Sequence, residues 1–257
     1  MHRGLMYATA LILAGCISAP VERAAPAIEE PSSPPSAPAL RCAVNPALSA
    51  ESAARDAAYM ALDAVRRREI LNTLPACLES PDPAVRDGYA FEILSLILRG
   101  DGQNAETLRP LKADLLARLA GAGDDPNGFR GPFAALALAE VARTDRIEPW
   151  MSETERSNLI SAAHTYLSSL KDYRGYSETE GWRHGVAHTA DLLMQLSLNP
   201  ELTKPQAGAI LAAIALKVGT PDHAYVFGES ERLAAPVTYL AFKETFTAEE
   251  WSAWLLS

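Results

Sequence analysis

Residues 129–170, FRGPFAALALAEVARTDRIEPWMSETERSNLISAAHTYLSSL, decide how this chain is read. From Phe129 to Val141 an alanine-rich apolar face recurs without a β-branched run, the pattern of a helix that buries one side. Ser152 and Glu155 then stand three apart as a capping box, in which hydroxyl and carboxylate satisfy the orphan amides of a new helix start. A helix, a short connection and a second capped helix make the unit of an all-α chain, and the sequence extends that unit in both directions.

Toward the C-terminus the same spacing returns at Ser177 and Glu180, at Thr203 and Gln206, and at Thr247 and Glu250, the last opening a helix from Ala248. Toward the N-terminus, Asn104 caps a helix carrying Leu108, Leu111, Leu115, Leu116 and Leu119, and residues 121–128 form a loop. Asp82-Pro83 places a cap before a proline at the first helical position, opening a helix through about Leu98. Ala53 to Leu71 reads as one helix, ended where Pro75 interrupts. No segment reads as a convincing strand.

Four helix starts share an arginine followed by small residues and an alanine-rich face. They carry Arg86, Arg130, Arg183 and Arg232, which lie 44, 53 and 49 residues apart. Two helices per step at that spacing resemble HEAT or armadillo repeats, so the expected architecture is a right-handed solenoid of stacked antiparallel helix pairs. In such a stack the four arginines would form a ladder along one edge, or pair with Asp87, Asp145, Asp172 and Glu229 of neighbouring layers.

The 257 residues carry 48% hydrophobic and 21% charged side chains, enough apolar material for a sizeable core. Asp and Glu number 32 against 23 Lys and Arg, a net charge of −9, and no basic stripe appears. That balance argues against nucleic acid, whose binding rests on clustered cations that neutralise phosphates.

At the N-terminus, Arg3 precedes an apolar run from Leu5 to Leu13 and then Leu13-Ala14-Gly15-Cys16. This resembles a bacterial lipoprotein signal: residues 1–15 would be cleaved and Cys16 would receive palmitate-class acyl chains, holding the protein to a membrane. The run is too short to span a bilayer as a helix. Ile17 after the cysteine fits, by the same resemblance, an outer-membrane lipoprotein facing the periplasm. Residues 16–41 hold six prolines and no aromatic residue and read as a disordered Pro/Ala/Ser tether, leaving 42–257 as a single helical domain. Cys42 and Cys77 remain as a pair in a compartment that tolerates disulfides; they are expected to be bonded, the alternative being a buried free thiol at Cys77.

Chemistry concentrates in residues 172–191, DYRGYSETEGWRHGVAHTAD. On a helix His184, His188 and Asp191 would share one face and could ligate a divalent metal, act as a metal-free acid/base or binding site, or serve structure alone. The zinc-protease motif is incomplete, since Gly185 stands where its glutamate belongs. Asp172, Tyr173, Arg174 and Tyr176 before this helix, and Asp222, His223, Tyr225, Phe227 and Glu229 before the next arginine-bearing one, could flank a common groove. Phosphate-binding glycine loops, dinucleotide fingerprints and nucleophile elbows are not present in the sequence.

The segments RDGYAFEIL, FRGPFAALALAE, DYRG, GWRHGVAHTAD and GESERLA, from about Asp82 to Phe242, resemble a bacterial family catalogued as domain of unknown function 2785. The resemblance implies an all-helical domain, marks Asp172, Arg174, His184, His188 and Asp191 as motif positions, and supplies no activity. The sequence therefore leads to a lipid-anchored envelope protein whose helical repeats bind a peptide, polymer or protein in a groove. That groove would use Asp172, Tyr173, Arg174, Trp182, Arg183, His184, His188, Asp191, Glu229 and Arg232. A metal-dependent hydrolase using His184, His188 and Asp191, with the metal activating a water, and a purely structural scaffold are the alternatives. Whether the chain is an enzyme stays open at this point.

Overall fold

Between Asp63 and Ala64 the backbone makes the first departure from that reading. Asp63 is extended (ψ 168°) and its carboxylate accepts the Arg66 N–H at 2.8 Å, so it caps a new helix. The expected single helix is thus two, α1 (Ser52–Met60) and α2 (Ala64–Cys77), and Pro75 sits buried inside the last turn of α2 instead of ending it. These coordinates are a computed structural model, which describes residues 41–49, 52–100, 103–220 and 223–256. The leader, Cys16 and the tether up to residue 40 lie outside the described residues, as does Asp222.

The chain continues through α3 (Pro83–Val85), a π-helical turn (Arg86–Phe91), α4 (Glu92–Arg99) and α5 (Ala105–Ala120). It goes on through α6 (Arg130–Ile147), α7 (Glu153–Ser169), α8 (Gly185–Ser197), α9 (Lys204–Ala215), α10 (Glu229–Phe242) and α11 (Ala248–Leu255). The protein is predominantly helical. Asp82, Asn104, Ser152 and Thr247 cap their helices through side-chain oxygens, and Gln206 accepts from the Thr203 N–H at 3.0 Å.

Ser177 and Glu180 do not start a helix. They close the turn of a small antiparallel hairpin, β1 (Tyr176–Ser177) with β2 (Gly181–Trp182), against the expectation of no strand. Gly181 supplies the reason: its φ of 71° belongs to a turn, and a Cβ there would lie 2.9 Å from the Arg86 guanidinium.

Helix α8 is buried from Gly185 to Leu193 without an exposed face, which marks it as the central helix. It packs between α6 and α10. Contacts near both ends of these helices fix their direction. His188 meets Pro132, Asn199 just past α8 meets Asp145, His184 meets Glu229, and Lys243 reaches the Asn199 carbonyl. α6, α8 and α10 therefore run the same way, and their first turns lie at one end of the molecule. The other layer pairs α7 with α9, where Gln206 donates to the Glu153 carbonyl.

A disulfide joins Cys42 to Cys77 with their Cα atoms 4.6 Å apart, and the Tyr89 hydroxyl donates to the Ala43 carbonyl at 3.3 Å. Together they hold the segment before α1 against α2 and the π-turn.

Candidate functional site

Because α6, α8 and α10 begin together, the loops that precede them meet: residues 121–129, 171–184 and 223–228. The clasp among them is Phe129, whose ring lies between two guanidiniums, Arg86 at 3.9 Å and Arg183 at 4.2 Å. Arg86, fully buried, donates to the carbonyls of Ser80, Pro81 and Glu180 and to Asp87. Arg183 donates to Asn127 O and twice to the Glu180 carboxylate. A planar cation with five donors suits such a junction, since it can stack and satisfy several carbonyls at once.

The four repeated arginines thus form no ladder. Arg130 serves the Gly121 carbonyl and Glu79, and Arg232 pairs with Asp191. Of the acids expected as partners only Asp87 takes its arginine; Asp145 is held by Arg156 and Asn199, and Asp172 by Arg174.

His184 lies just outside α8 in the left-handed region, φ 57° and ψ 38°, so it does not share the helical face of His188 and Asp191. Its backbone N–H donates to Arg174 O, extending the hairpin, and its ring stacks on Trp182 at 4.7 Å and meets His188 edge to face at 5.6 Å. Nε2 stands 3.4 Å from a carboxylate oxygen of Glu229, whose other oxygen accepts from the Phe227 N–H. His188 Nδ1 is 3.2 Å from the Pro132 carbonyl. Both imidazoles and Asp191 are more than nine-tenths buried.

Burial sets their protonation. It lowers the His184 pKa, opposed by Glu229, and pushes His188 down to about 3, helped by the neighbouring His184. Burial likewise raises Asp191 above the usual carboxylate range while Arg232 pulls it back. The metal trio, one of three readings open in the sequence, is not assembled: among the described residues no three His, Cys, Asp or Glu side chains are grouped to hold an ion. The cause is local, since His184 turns to Glu229, His188 to a carbonyl and Asp191 to a guanidinium.

The open space lies beside this cluster. A hollow of about 450 Å³ is lined by Tyr173, Tyr176, His223 and Phe227 together with Lys171, Arg174 and Arg183. A second lobe of about 330 Å³ shares Lys171, Arg174 and Arg183 and is otherwise walled largely by Gly, Ala and Pro with Tyr166 and Leu170. The two loops singled out in the sequence do border one hollow. Of the ten binding candidates, Asp172, Tyr173, Arg174 and Arg183 reach its walls, whereas Trp182, His184, His188, Asp191, Glu229 and Arg232 stand outside both linings. Burial would raise Asp172, but three bonds from the Arg174 guanidinium and one from its backbone N–H hold its carboxyl below the usual range. Gly175 makes room for the Phe227 ring, 2.1 Å from where a Cβ would sit.

Sequence reasoning missed Lys171, Phe129 and Lys217. Phe129 heads one of the arginine-bearing starts and was legible as such; Lys171 directly precedes the DYRG motif. Lys217 carries no local signal, because only the packing of α9 brings its ammonium to the Leu170 carbonyl and the Tyr173 hydroxyl.

A family model described as "Protein of unknown function (DUF2785)" matches residues 115–257. The match begins later than the resemblance read from the sequence, so the segment around Arg86 falls outside it. No curated protein and no solved structure matches the chain.

Proposed function

The chain belongs to the DUF2785 family of proteins of unknown function, and from that premise we propose that it is a binding module that seats a partner in the two-lobed hollow beside His184 and His188. One observation carries the reading. Two adjoining cavities share a wall of Lys171, Arg174 and Arg183, and the larger is faced with four aromatic rings. Apolar walls with a few fixed polar groups are what a recognition site needs. The buried imidazoles act as its support, fixing Trp182 and the start of α10.

Of the partner classes considered, a peptide segment suits a hollow of this size and lining. A photo-crosslinker placed at Tyr176 in the full chain should yield a discrete adduct in cells, weakened by Arg174→Gln. Failure to form any adduct at Tyr176, with adducts forming equally at a distant exposed site such as Met60, would overturn the reading.

We also infer that the module is a stack of helical hairpins of HEAT-like type. Supporting this are pairings that join every second helix: Arg99 of α4 with Glu140 of α6 and Asp191 of α8 with Arg232 of α10, each 41 residues apart, and Asp145 of α6 with Asn199 just past α8, 54 apart.

The leader motif supports anchoring through acyl chains on Cys16 in a bacterial envelope, at the outer membrane facing the periplasm. Metabolic labelling with an alkyne fatty acid should tag the chain, and Cys16→Ser should lose both the tag and the membrane fraction. Labelling that persists in Cys16→Ser would remove the anchor from this account.

A further inference from the structure

Three cations line the hollow, Lys171, Arg174 and Arg183, beside three carboxylates, Asp125, Asp172 and Glu180, but they are not paired one to one. Arg183 is charge-paired with Glu180 and also donates to Asn127, and Arg174 gives Nε and Nη2 to Asp172, which leaves Nη1 without a partner among the described residues. Lys171, exposed on the shared wall, makes no ion pair or hydrogen bond among the described residues. Lys217 is 5% exposed, yet among the described residues its ammonium meets only neutral oxygens, the Leu170 carbonyl at 3.0 Å and the Tyr173 hydroxyl at 2.9 Å. A buried ammonium without an anion is costly, and in a chain of net charge −9 a cationic wall residue with a second lysine behind Tyr173 is not the product of a basic surface.

Resting on the reading of this hollow as a peptide site, we propose that it recognises the C-terminal carboxylate of a peptide. The carboxylate sits between Lys171 Nζ and Arg174 Nη1, beside the Tyr173 hydroxyl that Lys217 polarises. Lys171 is the lining cation that no carboxylate pairs among the described residues, so the wall suits one anionic group, and a planar carboxylate matches the free edge of a guanidinium whose other edge is already clamped. Tyr173, itself stacked on His223 at 4.9 Å, and Phe227 supply the walls for the last side chain.

The adjoining lobe then takes an apolar residue preceding it. Its lining of Ala122, Pro126, Pro132 and Leu170 suits such a side chain. A sugar acid would need more acceptors than this lobe offers, for the Asp125 carboxylate is already committed to the backbone N–H groups of Asn127, Phe129 and Arg130. Lys217 is a positioning residue here, acting through Tyr173.

The test uses the purified full chain and a pool of N-acetylated tripeptides with free carboxyl termini, against the same pool amidated. Expected is at least tenfold tighter binding of the free-acid pool, a loss of at least fivefold in Arg174→Gln and in Lys171→Gln, and recovery in Lys171→Arg, with unchanged far-UV circular dichroism. Tyr173→Phe should lower affinity for the acid pool and leave the weak binding of the amidated pool as it was. Equal affinity for both pools, lost in Phe227→Ala, overturns carboxylate recognition while the hollow stands as a peptide site. Oligosaccharides of glucuronic acid binding more tightly than the peptides overturn the peptide source. If no probe binds and Tyr176 crosslinks to nothing, this inference and the reading beneath it fall together.

Discussion

His188 reports on the core through a single proton. In the unfolded chain its ring titrates near the ordinary value of 6.5, whereas in the folded chain burial holds it down to about 3. Between those two pH values only the unfolded state takes the proton, so stability is complete above about pH 6.5 and declines as pH falls toward 3, by up to about 1.4 kcal/mol per pH unit. His184, also lowered, adds in the same direction; Asp191 and Asp87, raised by burial, oppose it at lower pH. Urea denaturation at pH 7 and pH 5 should therefore show a loss in the wild type that exceeds the loss in His188→Gln by about 2 kcal/mol. Equal losses would place the acid sensitivity elsewhere. The spacing of His184, His188 and Asp191 was visible in the sequence, but their facing was not. Counting four and three along a helix presumes helical dihedrals, and His184 has left-handed ones.

Helix starts were the most legible elements because a cap is a local transaction between a side chain and amides two or three residues on. Ser152 and Glu155 illustrate it: the serine oxygen accepts from the Glu155 N–H at 3.2 Å, and the glutamate accepts from the Ser152 N–H at 2.8 Å. Ser152→Ala should cost about 1 kcal/mol in a denaturation experiment. The same pair of residue types at Ser177 and Glu180 misled, since Gly181 takes a positive φ and the Glu180 carbonyl and carboxylate are claimed by Arg86 and Arg183. Ser177→Ala should accordingly leave helix content unchanged, measured by circular dichroism at 222 nm; a fall there would restore Ser177 as a helix cap. The split between α1 and α2 escaped for a related reason: Asp63 lies in a run of good helix formers, and only its cap geometry announces the break.

At the scale of the whole molecule, the predominantly helical character followed from periodicity and composition, while the meeting of loops before α6, α8 and α10 depended on which helices are neighbours. Lys217 enters the site by that route alone, whereas Phe129 was legible as the head of a helix start. The disulfide belongs to this scale as well. It closes a separation of 35 residues, which in the chain-entropy account is worth about 3 to 4 kcal/mol. Reduction, or a Cys42→Ser, Cys77→Ser double variant, should lower the unfolding free energy by that amount, with a lower urea midpoint, and leave the hollow able to bind. A midpoint unchanged on reduction would mean that the staple constrains little of the unfolded chain.

The sandwiching of Phe129 between Arg86 and Arg183 bears on where the protein can be cut. Kinship becomes detectable only at residue 115, yet the guanidinium of Arg86, well upstream, fills the space over that ring and holds the backbone of the hairpin. A fragment starting at 115 should bare an aromatic face and aggregate on expression, because the border of family likeness runs through the middle of a cooperative unit.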